Sequence, residues 1–325
     1  MSRNGGPRGF LGDLAIVGAT GTGKSLLATA VAARLAGDGI GVELVSVDAM
    51  AVYRGLDLLT AKPAPAAGVH LVDLVEADED FSVADFTTAA RLALDQIHRQ
   101  GHRAVLVGGT GLYHRAVLDG LDLPGRFPAV AASLELEATR PGGLAALYEQ
   151  LRRLDPMAAA RVLPANRRRI VRALEVTLGS GRPFSSFGPG LESYPEARAC
   201  LVGLRLPREE LYLRLDDRLE AQLEAGLLDE VRQLRARARP ISRTAAQAIG
   251  YVELSAHLAG EGTLDEALAR TRRRLRSFAR RQEAWFRRDP RVVWLDARRP
   301  DLVESVVAQW SAEEARGQTW ETAVL

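Results

Sequence analysis

Lysine is nearly missing from this sequence: of 43 basic residues only Lys24 and Lys62 carry an ammonium. Cysteine occurs once, at Cys200, and the five histidines are scattered singly. A single cysteine excludes an internal disulfide framework and a cysteine-built zinc site, and lone histidines encode no metal cage. No uninterrupted apolar run approaches membrane-spanning length, and residues 1–12 are polar and glycine-rich without an apolar leader segment. The expectation is a soluble cytoplasmic protein with no membrane partner. The net charge of +2 argues only weakly for an anionic partner, so the placement of the charge carries more information than its sum. Both lysines fall in motif-like segments, as expected where a compact ammonium is needed and a planar guanidinium would not serve.

What is present suffices for a folded core. A chain of 325 residues with 47% hydrophobic content can bury a sizeable core, and its length suits one large domain carrying a smaller one. Short apolar runs at 14–17, 42–47 and 104–107 alternate with helical patterns at 26–35 and 83–99, which predicts a parallel α/β sheet. Residues 123–194 change to Pro-, Gly- and Arg-rich helical pieces. A buried strand follows at 200–206, then a long helical stretch, a last strand at 292–295 and a final helix. The predicted architecture is α/β, with a phosphate-loop parallel-sheet core at 13–123 and 197–312 and a mostly helical insertion at 124–196. The C-terminal part of the core is helical, and flexible ends are expected at 1–12 and 313–325.

The string Gly18-Ala19-Thr20-Gly21-Thr22-Gly23-Lys24-Ser25 fits the eight-residue phosphate-loop pattern, follows a strand and opens a helix. Its glycines let backbone amides turn toward phosphate oxygens and the helix N-terminus adds partial positive charge. Lys24 can neutralise terminal phosphate charge, and the Ser25 hydroxyl can hold Mg²⁺. A di- or triphosphate ligand is predicted. The loop alone does not separate an NTPase, a nucleotide kinase or a transferase with a diphosphate leaving group. Asp48, at the end of the second strand, stands where open α/β sheets bind ligands. There it can accept a proton, cap a helix, or stand behind a bound Mg²⁺. Thr110 follows Gly108-Gly109 at the end of the third strand, either in the site or as a helix cap.

The string from Asp48 to Asp57, followed by Thr60-Ala61-Lys62-Pro63, resembles a signature of the tRNA dimethylallyltransferases. Further matches follow in order: His70-Leu71-Val72-Asp73, Phe81 to Phe86, Leu106 to Tyr113, Asn166 to Val176, Ala248-Ile249-Gly250-Tyr251, and Ala279-Arg280-Arg281-Gln282 with Trp285-Phe286. The resemblance implies transfer of a dimethylallyl group from dimethylallyl diphosphate to N6 of the adenosine 3′ of the anticodon in tRNA. It implies Mg²⁺ as cofactor, Asp48 as general base, and Lys24 and Thr110 as catalytic partners. Residues 18–25 would grip the donor. Contacts to the tRNA anticodon stem-loop are implied for Asp48, Ala49, Met50, Ala51, Lys62, Thr110, Arg168, Arg169 and Arg172. A monomer is expected.

The implied acceptor fits the charge pattern. In the helix over 166–178, Arg168 and Arg172 share a face at i,i+4, and Ile170, Leu174 and Leu178 mark the buried side. Residues 265–291 hold ten arginines against four acids, with Phe278, Trp285 and Phe286 interleaved. That stretch reads either as an RNA-facing surface or as solvated, paired arginines over core aromatics. The chain departs from the family pattern at Ala49 and Ala51, where serine and glutamine are common, and at Ala131, Gln247 and Val252, where arginine is frequent. Each lost charged hydrogen bond costs about 1–3 kcal/mol if nothing replaces it. Three competitors are an isopentenyltransferase acting on free adenine nucleotides, a nucleotide kinase, and a catalytically weak tRNA-binding protein.

Overall fold

The computed structural model describes residues 12–62, 68–187, 191, 193–196 and 199–323, with side chains described as far as Glu313. The expected flexible segment at 1–12 lies outside these residues apart from Gly12, as does Pro63. The chain divides into two compact units, Met1–Asp119 with Glu196–Leu325, and Gly120–Pro195.

In the first unit the early elements run β1 (Asp13–Gly18), α1 (Lys24–Ala36), β2 (Val42–Ser46), α2 (Asp57–Thr60), β3 (Val69–His70), α3 (Val83–Arg99), β4 (Arg103–Gly108) and α4 (Gly111–Leu118). The second unit holds α5 (Pro128–Ala138), α6 (Gly143–Leu154), α7 (Pro156–Arg161) and α8 (Arg167–Ser180). The first unit resumes with β5 (Ala199–Arg205), α9 (Arg208–Glu224), α10 (Leu227–Arg235), α11 (Tyr251–Leu258), α12 (Leu264–Phe286), β6 (Val293–Asp296) and α13 (Leu302–Ala323).

The strands form one six-stranded sheet in the order β3-β2-β4-β1-β5-β6, with every pairing parallel. A parallel sheet is covered on both faces, so its strands are apolar throughout rather than alternating. In β1 the side chains of Leu14, Ala15, Ile16 and Val17 are all fully buried, and successive ones enter opposite layers. Ala15 and Val17 join a core with Phe86, Leu94 and Ile97 of α3. Leu14 and Ile16 join a second with Leu27 and Val31 of α1 and Trp310 of α13. Cys200 is buried in this second layer, a core thiol.

Three features differ from the sequence reading. The two-residue β3, held by pairing of Val69 and His70 with Leu44 and Val45, is too short to give a periodic signal. The expected tail at 313–325 is helical through Ala323, because residues 311–323 are rich in good helix formers and contain no proline. In the second unit Leu178, expected on the buried side of α8, is 43% exposed. The apolar face passes from Ile170 to Leu174 and on to Thr177 at two helical turns, leaving Leu178 outside it.

The second unit closes its own small core around Leu134, Leu147, Leu151, Ile170 and Leu174. Asp155, 2% exposed, caps α7 at the Ala158 amide and also accepts from the Ser185 amide and hydroxyl. A buried carboxylate so fully hydrogen-bonded pins the end of the bundle. None of the described helices is long and apolar enough to cross a membrane.

Candidate active site

Three chain segments reach the C-terminal edge of the sheet together: the loop after β1, the residues after β2 and the turn after β4. The middle pair is brought together by glycine. A Cβ on Gly108 would lie 2.0 Å from the Val47 carbonyl oxygen, so only glycine lets the ends of β2 and β4 approach this closely. That approach sets Asp48 beside Thr110.

The loop at 18–25 turns on three of its glycines. Gly18, Gly21 and Gly23 have φ of 134°, 87° and 90°, the left-handed side where glycine is unstrained. The Lys24 ammonium donates to the Ala19 carbonyl at 2.7 Å, and the Thr22 hydroxyl donates to the same oxygen at 2.9 Å. Among the described residues no protein acceptor meets the amides of Gly21, Gly23, Lys24 or Ser25, which leaves four donors at a helix N-terminus. The Thr20 amide is different: it donates to Oε1 of Gln282 at 2.8 Å. Ser25 lies exposed on the first turn of α1.

Asp48 is half-buried and oriented by its own loop. Its Oδ1 accepts from the amides of Met50 at 2.7 Å and Ala51 at 3.2 Å, and no donor among the described residues reaches Oδ2. The Thr110 hydroxyl accepts from the Ala49 amide at 3.2 Å and does not cap α4, so its work is to hold the Asp48 loop. Burial pushes the Lys24 ammonium down to about 8; the Asp48 carboxylate opposes this and the Arg218 guanidinium adds to it. His114, the nearest buried imidazole, is pushed by burial down to about 3, so it stays neutral and offers no competing positive charge.

Two site members escaped the sequence reading. Arg218 donates to the Thr20 hydroxyl at 3.0 Å, and burial lowers its pKa while Asp48 works to raise it. It sits on α9 at the spacing of the buried Leu211, Leu215 and Leu219. Gln282 is 5% exposed and sits on α12 at the spacing of Leu268, Leu275, Ala279 and Phe286. A polar residue on an apolar helical stripe was the available signal in both cases.

The residues expected to touch tRNA are placed unequally. Ala51 is only 3% exposed, while Ala49 and Met50 are half-buried beside Asp48. Lys62 has its three ammonium protons engaged, by the Tyr53 carbonyl at 2.8 Å, Asp57 at 2.5 Å and Asp73 at 2.7 Å. Around it Ala61, Leu71 and Asp73 take left-handed φ, so the ammonium braces a strained segment from within. In the second unit, Arg172 donates to the Pro124 and Gly125 carbonyls and pairs with Glu175 at 2.8 Å. Arg168 and Arg169 are exposed.

On α12 two of the three aromatic residues belong to the core: Phe286 is 4% exposed, and Trp285 packs where a Cβ on Gly111 would stand 2.0 Å from its ring, whereas Phe278 is half-buried under the Arg281 guanidinium. Several of its arginines are paired, Arg272 and Arg276 with Asp216 and Arg274 with Glu253. The packing against α9 and α11 accounts for these charges without RNA. Among the described residues no group of three or more His, Cys, Asp or Glu could hold a metal ion. Of the departures, Gln247 is exposed, Val252 is 53% exposed and Ala131 is half-buried.

Comparison with known proteins shows what the chain as a whole is similar to. A tRNA dimethylallyltransferase of Thermobifida fusca is 47% identical over 301 residues, spanning 91% of this chain and 93% of that one. The crystal structure of a tRNA isopentenylpyrophosphate transferase from Bacillus halodurans superposes with a TM-score of 0.67 at 33% identity, covering 95% and 99% of the two chains. A eukaryotic dimethylallyltransferase, captured in crystallographic snapshots acting on tRNA, gives a TM-score of 0.72 at 25% identity over 94% of this chain and 77% of that one. The family model described as IPP transferase matches residues 51–289, which run from the Asp48 loop through both arms of the core to the end of α12, and the chain belongs to that family.

Proposed function

We propose that the protein transfers a dimethylallyl group from dimethylallyl diphosphate to the N6 amine of the adenosine 3′ of the anticodon in tRNA, acting as a monomer in the cytoplasm. The observation that carries the mechanism is the open Oδ2 of Asp48, on the same sheet edge as the phosphate loop, where Lys24 of the loop and Arg218 of α9 both feel its charge.

Breaking the allylic C–O bond develops negative charge on the diphosphate. The amides of Gly21, Gly23, Lys24 and Ser25 lie where that charge forms, with the Lys24 and Arg218 cations beside them. The exocyclic amine is a weak nucleophile, and Asp48 Oδ2 accepts its proton as the new N–C bond forms, while Oδ1 stays fixed by the Met50 and Ala51 amides. Thr110 holds the Ala49 amide and thereby the reach of Asp48. Mg²⁺ fits the donor set: the exposed Ser25 hydroxyl begins the helix, and with no protein cage among the described residues the ion would be bound chiefly by substrate phosphates. When bound it supplies Lewis-acid charge to the departing diphosphate. On the acceptor, Arg168 and Arg169 offer exposed guanidinium groups for phosphate contacts, and the adenosine must be splayed from its loop to reach Asp48.

Incubation with Mg²⁺, dimethylallyl diphosphate and an unmodified tRNA transcript, with AMP in a parallel reaction, tests this reading. Digestion and mass spectrometry should find prenylated adenosine from tRNA alone. Prenylated AMP, or no product from either acceptor, would reject it.

Lys24 supplies a separate expectation. Its ammonium is held at about 8 in the free loop, and bound diphosphate stabilises the charged form, so binding raises that value again. Binding therefore takes up little proton well below pH 8 and increasingly more above it. Calorimetry with inorganic diphosphate at pH 7 and pH 9, in buffers of different ionisation enthalpy, reads this directly. Equal uptake at both pH values, after the ligand's own titration is subtracted, would contradict the assignment.

A further inference from the structure

The geometry points to Gln282 as a positioning residue that ties the donor-binding loop to the loop carrying the base, a role that rests on the function proposed above. One amide side chain makes both connections. Its Oε1 accepts from the Thr20 amide of the phosphate loop at 2.8 Å, and its Nε2 donates to the Gly109 carbonyl at 3.0 Å. Gly109 precedes Thr110, whose hydroxyl holds Ala49 beside Asp48. Three hydrogen bonds, joined by the backbone links from Gly109 to Thr110 and from Ala49 to Asp48, therefore connect the cradle for the leaving group to the acceptor of the amine proton.

Packing does not explain a glutamine here. The side chain is 5% exposed on a buried stripe with Leu268, Thr271, Leu275, Ala279 and Phe286, where an apolar residue of the same length would avoid the desolvation of an amide. The neighbouring backbone is shaped around it. A Cβ on Gly109 would lie 2.0 Å from Nε2, so glycine at that position is what admits the amide to the Gly109 carbonyl. The Thr20 amide is also withdrawn from the set that can face phosphate, which fixes the loop by one of its own donors and leaves the amides of Gly21, Gly23, Lys24 and Ser25 for the ligand. Loss of the tether lets the two loops drift relative to each other, and displacements of about an ångström between reacting groups cost on the order of a hundredfold in rate.

The test uses the full-length protein with two substitutions. Gln282→Met keeps length and apolar packing and removes both hydrogen bonds. With an unchanged thermal midpoint, it should lower kcat about 10- to 100-fold, raise the KM for dimethylallyl diphosphate, and leave the KM for tRNA within about threefold. Gln282→Glu keeps the acceptor for Thr20 but, when ionised, turns a second acceptor toward the Gly109 carbonyl. Protonation restores a donor, so the activity of this variant relative to wild type should climb as pH falls from 8 to 6, which a side chain acting by bulk alone would not do. A methionine variant with wild-type kcat and donor KM, or a glutamate variant whose pH profile runs parallel to that of wild type, overturns the assignment. Calorimetric binding of inorganic diphosphate separates the two levels of the argument. An affinity loss of about tenfold in Gln282→Met supports the tether even if no acceptor is prenylated, and equal affinity counts against it whatever the reaction proves to be.

Discussion

Replacing Asp48 with asparagine should lower kcat by about 100- to 10,000-fold while leaving the KM for both substrates within a few-fold and the stability unchanged. Asparagine is nearly isosteric and can keep the Oδ1 acceptor for the Met50 and Ala51 amides, so the loop holds its shape. What it loses is the open oxygen that takes the proton. It also loses a negative charge that works to raise Lys24, so proton uptake on diphosphate binding should begin at lower pH than in wild type. Steady-state kinetics with a tRNA transcript, paired with thermal unfolding, checks both halves. A drop in kcat below tenfold would mean that another group or bulk water accepts the proton.

The second large effect is expected in stability. In Gly108→Ala the new Cβ would meet three backbone atoms of Val47, at 2.0, 2.6 and 3.0 Å, and no rotamer change relieves a clash with backbone. The ends of β2 and β4 must separate, which breaks the bond from the Val47 amide to the Val107 carbonyl and pulls Asp48 away from Thr110. A cost of about 3 kcal/mol or more is expected, at or above the upper end of ordinary overpacking. Gly109→Ala is the internal comparison, because its Cβ meets the side-chain amide of Gln282 rather than backbone. It should destabilise less and depress activity more than its stability loss explains. Denaturant titration of the two variants decides; equal stability losses would show that the close approach at Gly108 does not govern the sheet edge.

These two glycines also mark what the sequence made legible. Five strands and the phosphate loop are visible from apolar runs and one motif, because a parallel sheet buried on both faces needs uninterrupted Val, Ile and Leu, as in residues 14–17. The segment 83–99 is equally plain: Ser82 and Asp85 form a capping box and the apolar period is regular. β3 was illegible because two residues carry no period, and its existence depends on a neighbour far along the chain. Asp48 and Thr110 could be named from their places after strands, but their division of labour could not. It depends on which amides the loop turns toward them, a property of φ and ψ. Arg218 and Gln282 were hidden in plain view, as polar residues on apolar stripes. The arginines of α12 pointed the other way: a dense positive run suggested RNA, whereas Asp216 and Glu253 on packed helices answer several of those charges internally.

The near-absence of lysine takes on a different meaning in three dimensions. Where a cation in this protein faces a carboxylate fork, as Arg291 does with Asp119 and Asp289, the chain uses guanidinium. An ammonium stands at two places only. At Lys62 three oxygens converge from different directions, which suits a tetrahedral donor and not a flat one. At Lys24 the charge is held near the edge of ionisation, a condition that guanidinium cannot reach. The composition thus sorts its cations by geometry and by willingness to give up a proton. In a chain this rich in arginine, each lysine is a position where shape or acidity had to be of a particular kind, and the exchange of either for arginine would keep the charge and lose the reason for it.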